Sequence, residues 1–447
     1  MGRNLIQLPV EIIQQIGENV LHRDRCKLSS TCSLFSNILE PFVFRAVRIE
    51  NRAQDAKAIR SVLQKYGKHI RRLSFHGTAS ILIYDEGYDE SEEDQNRLRA
   101  IESVKNEPFP DDVLLQLADA STLLPVLEEI SINFNCNVVP EDSWDNFWEA
   151  YAFTYPGYSN IQSLYTLFLP FYKTISSLRN ISVLTIHDLF PGDIDVWATE
   201  EMIEFLHPLK KVELCMYGNG HQPDYSDPYV ELCEAVGERL LRNLTSTTTF
   251  SLGTSRRYNY LGGVETQVFP TSPPLKPGYM SALRNLELVS YFIGIKGEVR
   301  NFLVAHSGVL EKVVLHNCHA IHVGPDWTDG KWLGWEDLFD SLANTDPVLS
   351  TFEIKNDTLP LWDSAQAWQH DSGNPSTMTR AQTSRRRRYF SYRYVSEDGN
   401  KLAQDKNFRE SRFEEGGDQR AYDNLMDIVE INALRKKLSR EAVYKHT

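Results

Sequence analysis

Ile70-Arg71-Arg72-Leu73-Ser74-Phe75 has a six-residue form, apolar-x-x-apolar-x-apolar, that returns along the chain. Leu127, Ile130 and Ile132 carry it, as do Ile181, Leu184 and Ile186, and then Leu209, Val212 and Leu214. Further copies stand at Leu283, Leu286 and Leu288, at Leu310, Val313 and Leu315, and at Leu349, Phe352 and Ile354, with a degenerate one at Phe250 and Leu252. The last two apolar residues of each unit are two apart, so in an extended chain they point to one face. The first sits in the turn leading into the strand. A helical stretch, Ala53–Tyr66, precedes the first unit, and others lie between units: Thr199–Leu206, Tyr229–Leu244, Gly297–His306 and Trp335–Leu342. The expected class is therefore α/β, with strand and helix alternating.

These units resemble leucine-rich repeats, in which a short strand and a helix recur and stack into a solenoid. Leu315-His316-Asn317-Cys318 carries the Asn and Cys that such repeats place after the strand. The intervals are irregular and mostly wider than the roughly 20–29 residues of regular repeats. The resemblance implies an irregular horseshoe over residues 49–360. The alternative is a generic α/β domain whose strands share this common spacing.

Working back from the body, residues 5–45 have a different pattern. Pro9 suits a helix start, where a missing N–H costs nothing. Ile12, Ile13, Ile16 and Val20 then fall on one stripe, which Leu8 extends. A second helix is expected from Asp24, as N-cap, to Thr31, and a third from Ser33 to Leu39, ended by Pro41. Leu28, Cys32, Phe35 and Leu39 share its spacing. About forty residues bury little core alone.

Leu8-Pro9-Val10-Glu11-Ile12-Ile13-Gln14-Gln15-Ile16, with Cys32-Ser33-Leu34-Phe35, resembles the F-box motif. The resemblance implies a helical bundle over residues 1–48 that binds a Skp-type adaptor and through it a cullin. It divides Leu8, Pro9, Ile12, Ile13, Ile16, Val20, Leu28, Cys32 and Phe35 between the adaptor interface and the module's core, without separating the two sets. Gly17 and Arg25 depart from the family pattern, which favours apolar or helix-forming residues there. Both departures are expected to weaken adaptor binding.

Composition narrows the function classes. The chain has 447 residues, 41% hydrophobic, 24% charged and 11% aromatic, as in globular proteins with a sizeable core. A formal net charge of −14 disfavours general nucleic-acid binding, which needs a basic face. Six scattered cysteines without a CxxC pair suit a reducing compartment. The opening residues hold no signal-like apolar run, Ile6 breaks the myristoylation pattern after Met1-Gly2, and no apolar stretch is long enough to span a membrane. The expected location is cytoplasmic or nuclear.

Catalytic signatures are missing from the sequence: no Walker loop, no G-x-S-x-G and no H-E-x-x-H. Gly218-Asn219-Gly220 lacks a third glycine. His316, Cys318, His319 and His322 are the strongest metal-ligand grouping, but alternation along a strand turns His319 away from His316 and Cys318. No cofactor is expected, and no enzyme activity.

The remaining segments are an acidic block at Tyr84–Gln95, an aromatic-rich insertion at Asn135–Tyr172 and a proline-rich loop at Leu261–Gly278. Ser364–Ser384 is polar, and it leads to Arg385-Arg386-Arg387-Arg388, a candidate nuclear-targeting or acid-binding run closing a linker over 361–388. Residues 389–447 hold an aromatic strand candidate and a helix, Asp418–Lys437. Tyr422, Leu425, Met426, Ile428, Val429 and Leu434 follow the period of that helix, which is expected to cap the body. The function these features imply is a non-catalytic substrate receptor of a cullin-type ubiquitin ligase, binding an unidentified protein substrate. The alternative is a scaffold of the same build acting outside ubiquitin transfer.

Overall fold

The computed structural model describes residues 8–82, 108–117, 120–139, 169–189, 194–216, 227–254, 263–265, 268–271, 274–294, 298–323, 334–355, 390–395, 402–403 and 406–444. The acidic block, the aromatics from Trp144 to Tyr158, Gly218–Gly220, Ser364–Ser384 and Arg385–Arg388 lie outside them.

Three helices open the chain: α1 (Val10–Asn19), α2 (His22–Ser29) and α3 (Ser33–Val43). An α/β body follows. Its sheet has nine parallel strands in chain order: β1 (Ala46–Glu50), β2 (Arg72–Leu82), β3 (Glu129–Val139), β4 (Val183–Leu189), β5 (Lys211–Met216), β6 (Thr249–Thr254), β9 (Asn285–Val289), β10 (Lys312–His316) and β12 (Thr351–Lys355). The connections hold helices, among them α4 (Ala56–Tyr66), α5 (Asp111–Leu117), α6 (169–176), α7 (Glu200–Leu206), α8 (Asp227–Ala235), α9 (Glu298–Ala305) and α10 (Trp335–Ala343).

The repeated apolar pairs meet across the sheet in register. Val47, Leu73, Ile130, Leu184, Val212, Phe250, Leu286, Val313 and Phe352 are successive partners. So are Ile49, Phe75, Ile132, Ile186, Leu214, Leu252, Leu288, Leu315 and Ile354. Parallel pairing without slippage turns each local alternation into two continuous apolar rows. Helix residues such as Leu63, Leu117, Ile175, Phe205, Phe302 and Phe339 share one buried cluster with these rows. Burying the apolar face of the sheet under the helices is what holds the two layers together.

The leading apolar residue of each unit is also buried: Ile70, Leu127, Ile181, Leu209, Leu283, Leu310 and Leu349. In the degenerate unit Thr247 takes that place. It is wholly buried, and its hydroxyl donates to the Leu209 carbonyl at 3.0 Å. One hydrogen bond lets a polar residue fill an apolar position. The chain passes through the left-handed region at Asp188, inside β4, and at Ser290 and Asn317, directly after β9 and β10. Each lies two residues beyond the second apolar row.

Several expectations change. β1 is an additional strand, carried by Val47 and Ile49, and Phe44 three residues before Val47 completes the six-residue form there. The proline-rich loop contains a two-stranded hairpin, β7 (Gly263–Glu265) with β8 (Val268–Thr271). The second helix starts at His22 rather than after Asp24, with Asp24 in its first turn. Pro41 does not end the third helix, which runs on to Val43. Phe42 and Val43 pack on the small N-terminal core, and that tertiary contact outweighs the backbone bond that proline removes.

At the far end, β11 (Ala320–Val323), β13 (Tyr392–Val395) and β14 (Leu402–Ala403) form a small sheet. They precede α11 (Lys406–Glu415) and the long α12 (Gly417–Tyr444). Tyr422, Leu425 and Val429 of α12 are buried in the body's core, where the Tyr422 ring lies 5.4 Å from Phe339 and 6.4 Å from Phe352. The distal part of the helix is different: Leu434 is 61% exposed. The expected apolar stripe thus packs only over its first turns. Asp418 anchors the helix start. Its carboxylate accepts from the Glu336 amide at 3.1 Å, from Tyr392 OH at 2.9 Å and from Arg412 Nη2 at 2.7 Å.

Candidate functional site

The N-terminal helices form a cluster of their own around Ile13, Phe35 and Leu39, apart from the core of the body. The crossing of α1 and α3 depends on Gly17. A Cβ there would stand 2.5 Å from Leu39 Cδ2, and Leu39 is fully buried. Arg25 ties the same junction. Its guanidinium donates to the carbonyls of Gly17 (2.6 Å), Phe42 (2.8 Å) and Val20 (3.1 Å). Those carbonyls belong to the last turns of α1 and α3, where intrahelical partners run out and a cation is favoured. The two departures from the F-box pattern are therefore parts of one joint.

The structure divides the sequence-derived site residues. Ile13 and Phe35 are core. Leu8, Leu28 and Cys32 pack against it while partly open, and Ile16 and Val20 are half-buried. Pro9 and Ile12 face outward, with Ile12 39% exposed. Exposed apolar residues outside the expected interface set join them: Val10, Leu34 and Leu21, the last 76% exposed. Val10 and Leu34 are off the buried stripe, so helical periodicity gave no reason to single them out, and Leu21 falls between helices.

The trio meets the body through a stacked pair, Phe44 on Tyr66, with ring centroids 3.6 Å apart, and through Glu40 with His69 at 3.2 Å. The body then presents the polar face of its sheet. Along it run Arg72, Glu129, Lys211, Glu213 and Glu287, with an ion pair between neighbouring strands at Arg72–Glu129 (2.7 Å). His76 Nε2 lies 2.9 Å from Ser74 Oγ. Partial burial, followed by the nearby Arg48 charge, lowers the His76 pKa below the ordinary imidazole value. Charges of both signs, interleaved with hydroxyls, suit contact with another protein better than contact with a uniformly charged polymer.

Two members of the His316–His322 grouping have other partners. Cys318 is fully buried with its sulfur 3.3 Å from the Leu288 carbonyl, and burial pushes its thiol up to about 12. His319 Nδ1 is engaged with Ser391 Oγ at 2.7 Å. Among the described residues, no helix is long and apolar enough to cross a membrane. A scan against protein-family models gives no match, and neither does a search of the curated proteins.

Proposed function

We propose that the chain is a non-catalytic substrate receptor of a cullin-type ubiquitin ligase. On this reading the N-terminal trio is an F-box that docks on a Skp-type adaptor and through it on a cullin. The nine-strand body is an irregular leucine-rich-repeat-like solenoid that holds a protein substrate. The chain then works in the cytoplasm or nucleus and needs no chemistry of its own. Joining the two binding modules raises the effective concentration of substrate at the ligase.

The observation that carries the reading is the apolar surface left on the trio. Val10, Ile12, Leu21 and Leu34 are 39–76% exposed on a module whose own core is small. Large apolar side chains left open on a module with so small a core are what a protein partner would cover. The test is co-precipitation of the full chain with a Skp-type adaptor and a cullin. Wild type is expected to bring down both, and Ile12→Asp with Leu34→Asp to bring down neither while keeping the wild-type circular dichroism. Capture that survives this pair of substitutions, or a wild type that captures nothing, refutes the receptor reading.

A further inference from the structure

We propose that His187, Glu213 and Cys215 form a binding site for one zinc-like divalent ion on the polar face of the sheet. One ligand atom from each residue lies within 4.8 Å of the other two, and all three side chains are half-buried. Zinc at ~2.0 Å from nitrogen or oxygen and ~2.3 Å from sulfur holds such atoms about 3–4 Å apart, so small side-chain rotations close the set.

Strand geometry puts them together. Glu213 and Cys215 are two apart on β5 and share its polar face. Ile186 pairs with Leu214, which sets His187 of β4 beside Cys215. The register shifts directly after Ile186, and Asp188 takes a left-handed conformation with φ of 56°. A bulge at this point re-aims the side chains next to it, a device often found beside functional sites. Among the described residues, no side-chain hydrogen bond or ion pair engages His187 or Glu213.

The donor set selects the ion. A thiolate and an imidazole suit zinc and its borderline neighbours, whereas calcium and magnesium take oxygen ligands. Three protein ligands leave a fourth tetrahedral position, which a water molecule would fill. Because the ligands sit on paired strands, the site is largely formed before the ion arrives. Binding displaces the Cys215 thiol proton, which is released to solvent. The site is independent of the receptor reading.

The test uses the full chain and cobalt(II) as a spectroscopic stand-in for zinc, under a non-thiol reductant. We expect one ion per chain, a thiolate-to-cobalt charge-transfer band, proton release on binding, and displacement by zinc. Cys215→Ser should abolish the band. His187→Asn and the near-isosteric Glu213→Gln should each weaken binding by more than the roughly 10–100-fold that loss of an outer-shell partner costs. Cys26→Ser, which removes the Cys26–His22 contact at 3.4 Å, should change nothing. A wild type with no band, a band that survives Cys215→Ser, or a band lost in Cys26→Ser overturns the proposal.

Discussion

Gly17 and Arg25 show how a residue that looks unfavourable along the chain becomes necessary in three dimensions. Alanine in place of a helical glycine gains about 1 kcal/mol in propensity. At position 17 the added methyl meets the wholly buried Leu39 at 2.5 Å, and overpacking of that kind costs about 1–3 kcal/mol. Gly17→Ala should therefore destabilise the trio, seen as faster amide exchange over residues 10–43; slower exchange would show that propensity wins. Arg25→Leu restores an apolar residue in keeping with the F-box pattern and removes three donated hydrogen bonds. Bonds from a charged donor are each worth more than neutral ones, but water reaches this half-buried site. A net loss of about 1–3 kcal/mol is expected, read from the same exchange experiment. An unchanged exchange pattern would show that water replaces the guanidinium without cost.

At the scale of an element, α12 is held by a buried polar anchor at its start and an ion pair further along. Asp418 is nearly inaccessible and holds Arg412, which keeps a second partner in Glu336. Asp418→Ala should lower stability by about 3 kcal/mol, the low end for a broken buried pair, because Glu336 remains. Thermal unfolding measures it, and a wild-type Tm would exclude an anchoring role. Further along, Lys436 of α12 and Arg284 both pair with Glu311. Hydrogen bonds from Lys436, then from Arg284, hold the Glu311 carboxyl below its ordinary range. A carboxylate with a depressed folded-state pKa contributes stability above its unfolded pKa, and that contribution is lost as pH falls through the folded value. Protection against exchange in the distal half of α12, measured relative to the intrinsic rate at each pH, should thus fall under acid conditions, below the ordinary carboxylate range. Glu311→Gln should show the lowered protection already at neutral pH; a variant whose protection still rises with pH would exclude this pair as the cause.

At the scale of the molecule, the sheet is a row of similar units whose two ends need covering. The N-terminal trio and the Phe44–Tyr66 stack lie at one end. At the other, α12 covers Phe339 and Phe352 through Tyr422, Leu425 and Val429. An uncapped terminal unit leaves its hydrophobic edge in water. A chain ending at Glu415 should therefore self-associate, measured by light scattering after size exclusion; a monodisperse monomer would show that the last unit closes itself. The nine-stranded fold was legible in the sequence through eight of its strands because the six-residue form is local. β1 carries the same form at Phe44, Val47 and Ile49, but it follows the N-terminal helices directly, and its lead residue Phe44 stacks on Tyr66 instead of joining the buried lead residues of the other strands.

What the sequence determined by itself was the alternation within each strand, the helices between strands and the amphipathic start of the chain, since side-chain periodicity depends only on neighbouring residues. Tertiary structure decided the rest. Register aligned separate pairs into two continuous apolar rows, and packing carried α3 through Pro41. The same packing sorted the N-terminal apolar residues into Ile13 and Phe35 inside and Val10, Ile12, Leu21 and Leu34 outside. Pairing of β4 with β5 brought His187 to Glu213 and Cys215, which no spacing along the chain connects. Such contacts depend on where distant segments meet, and that is set by the free energy of the whole core rather than by any one stretch of residues.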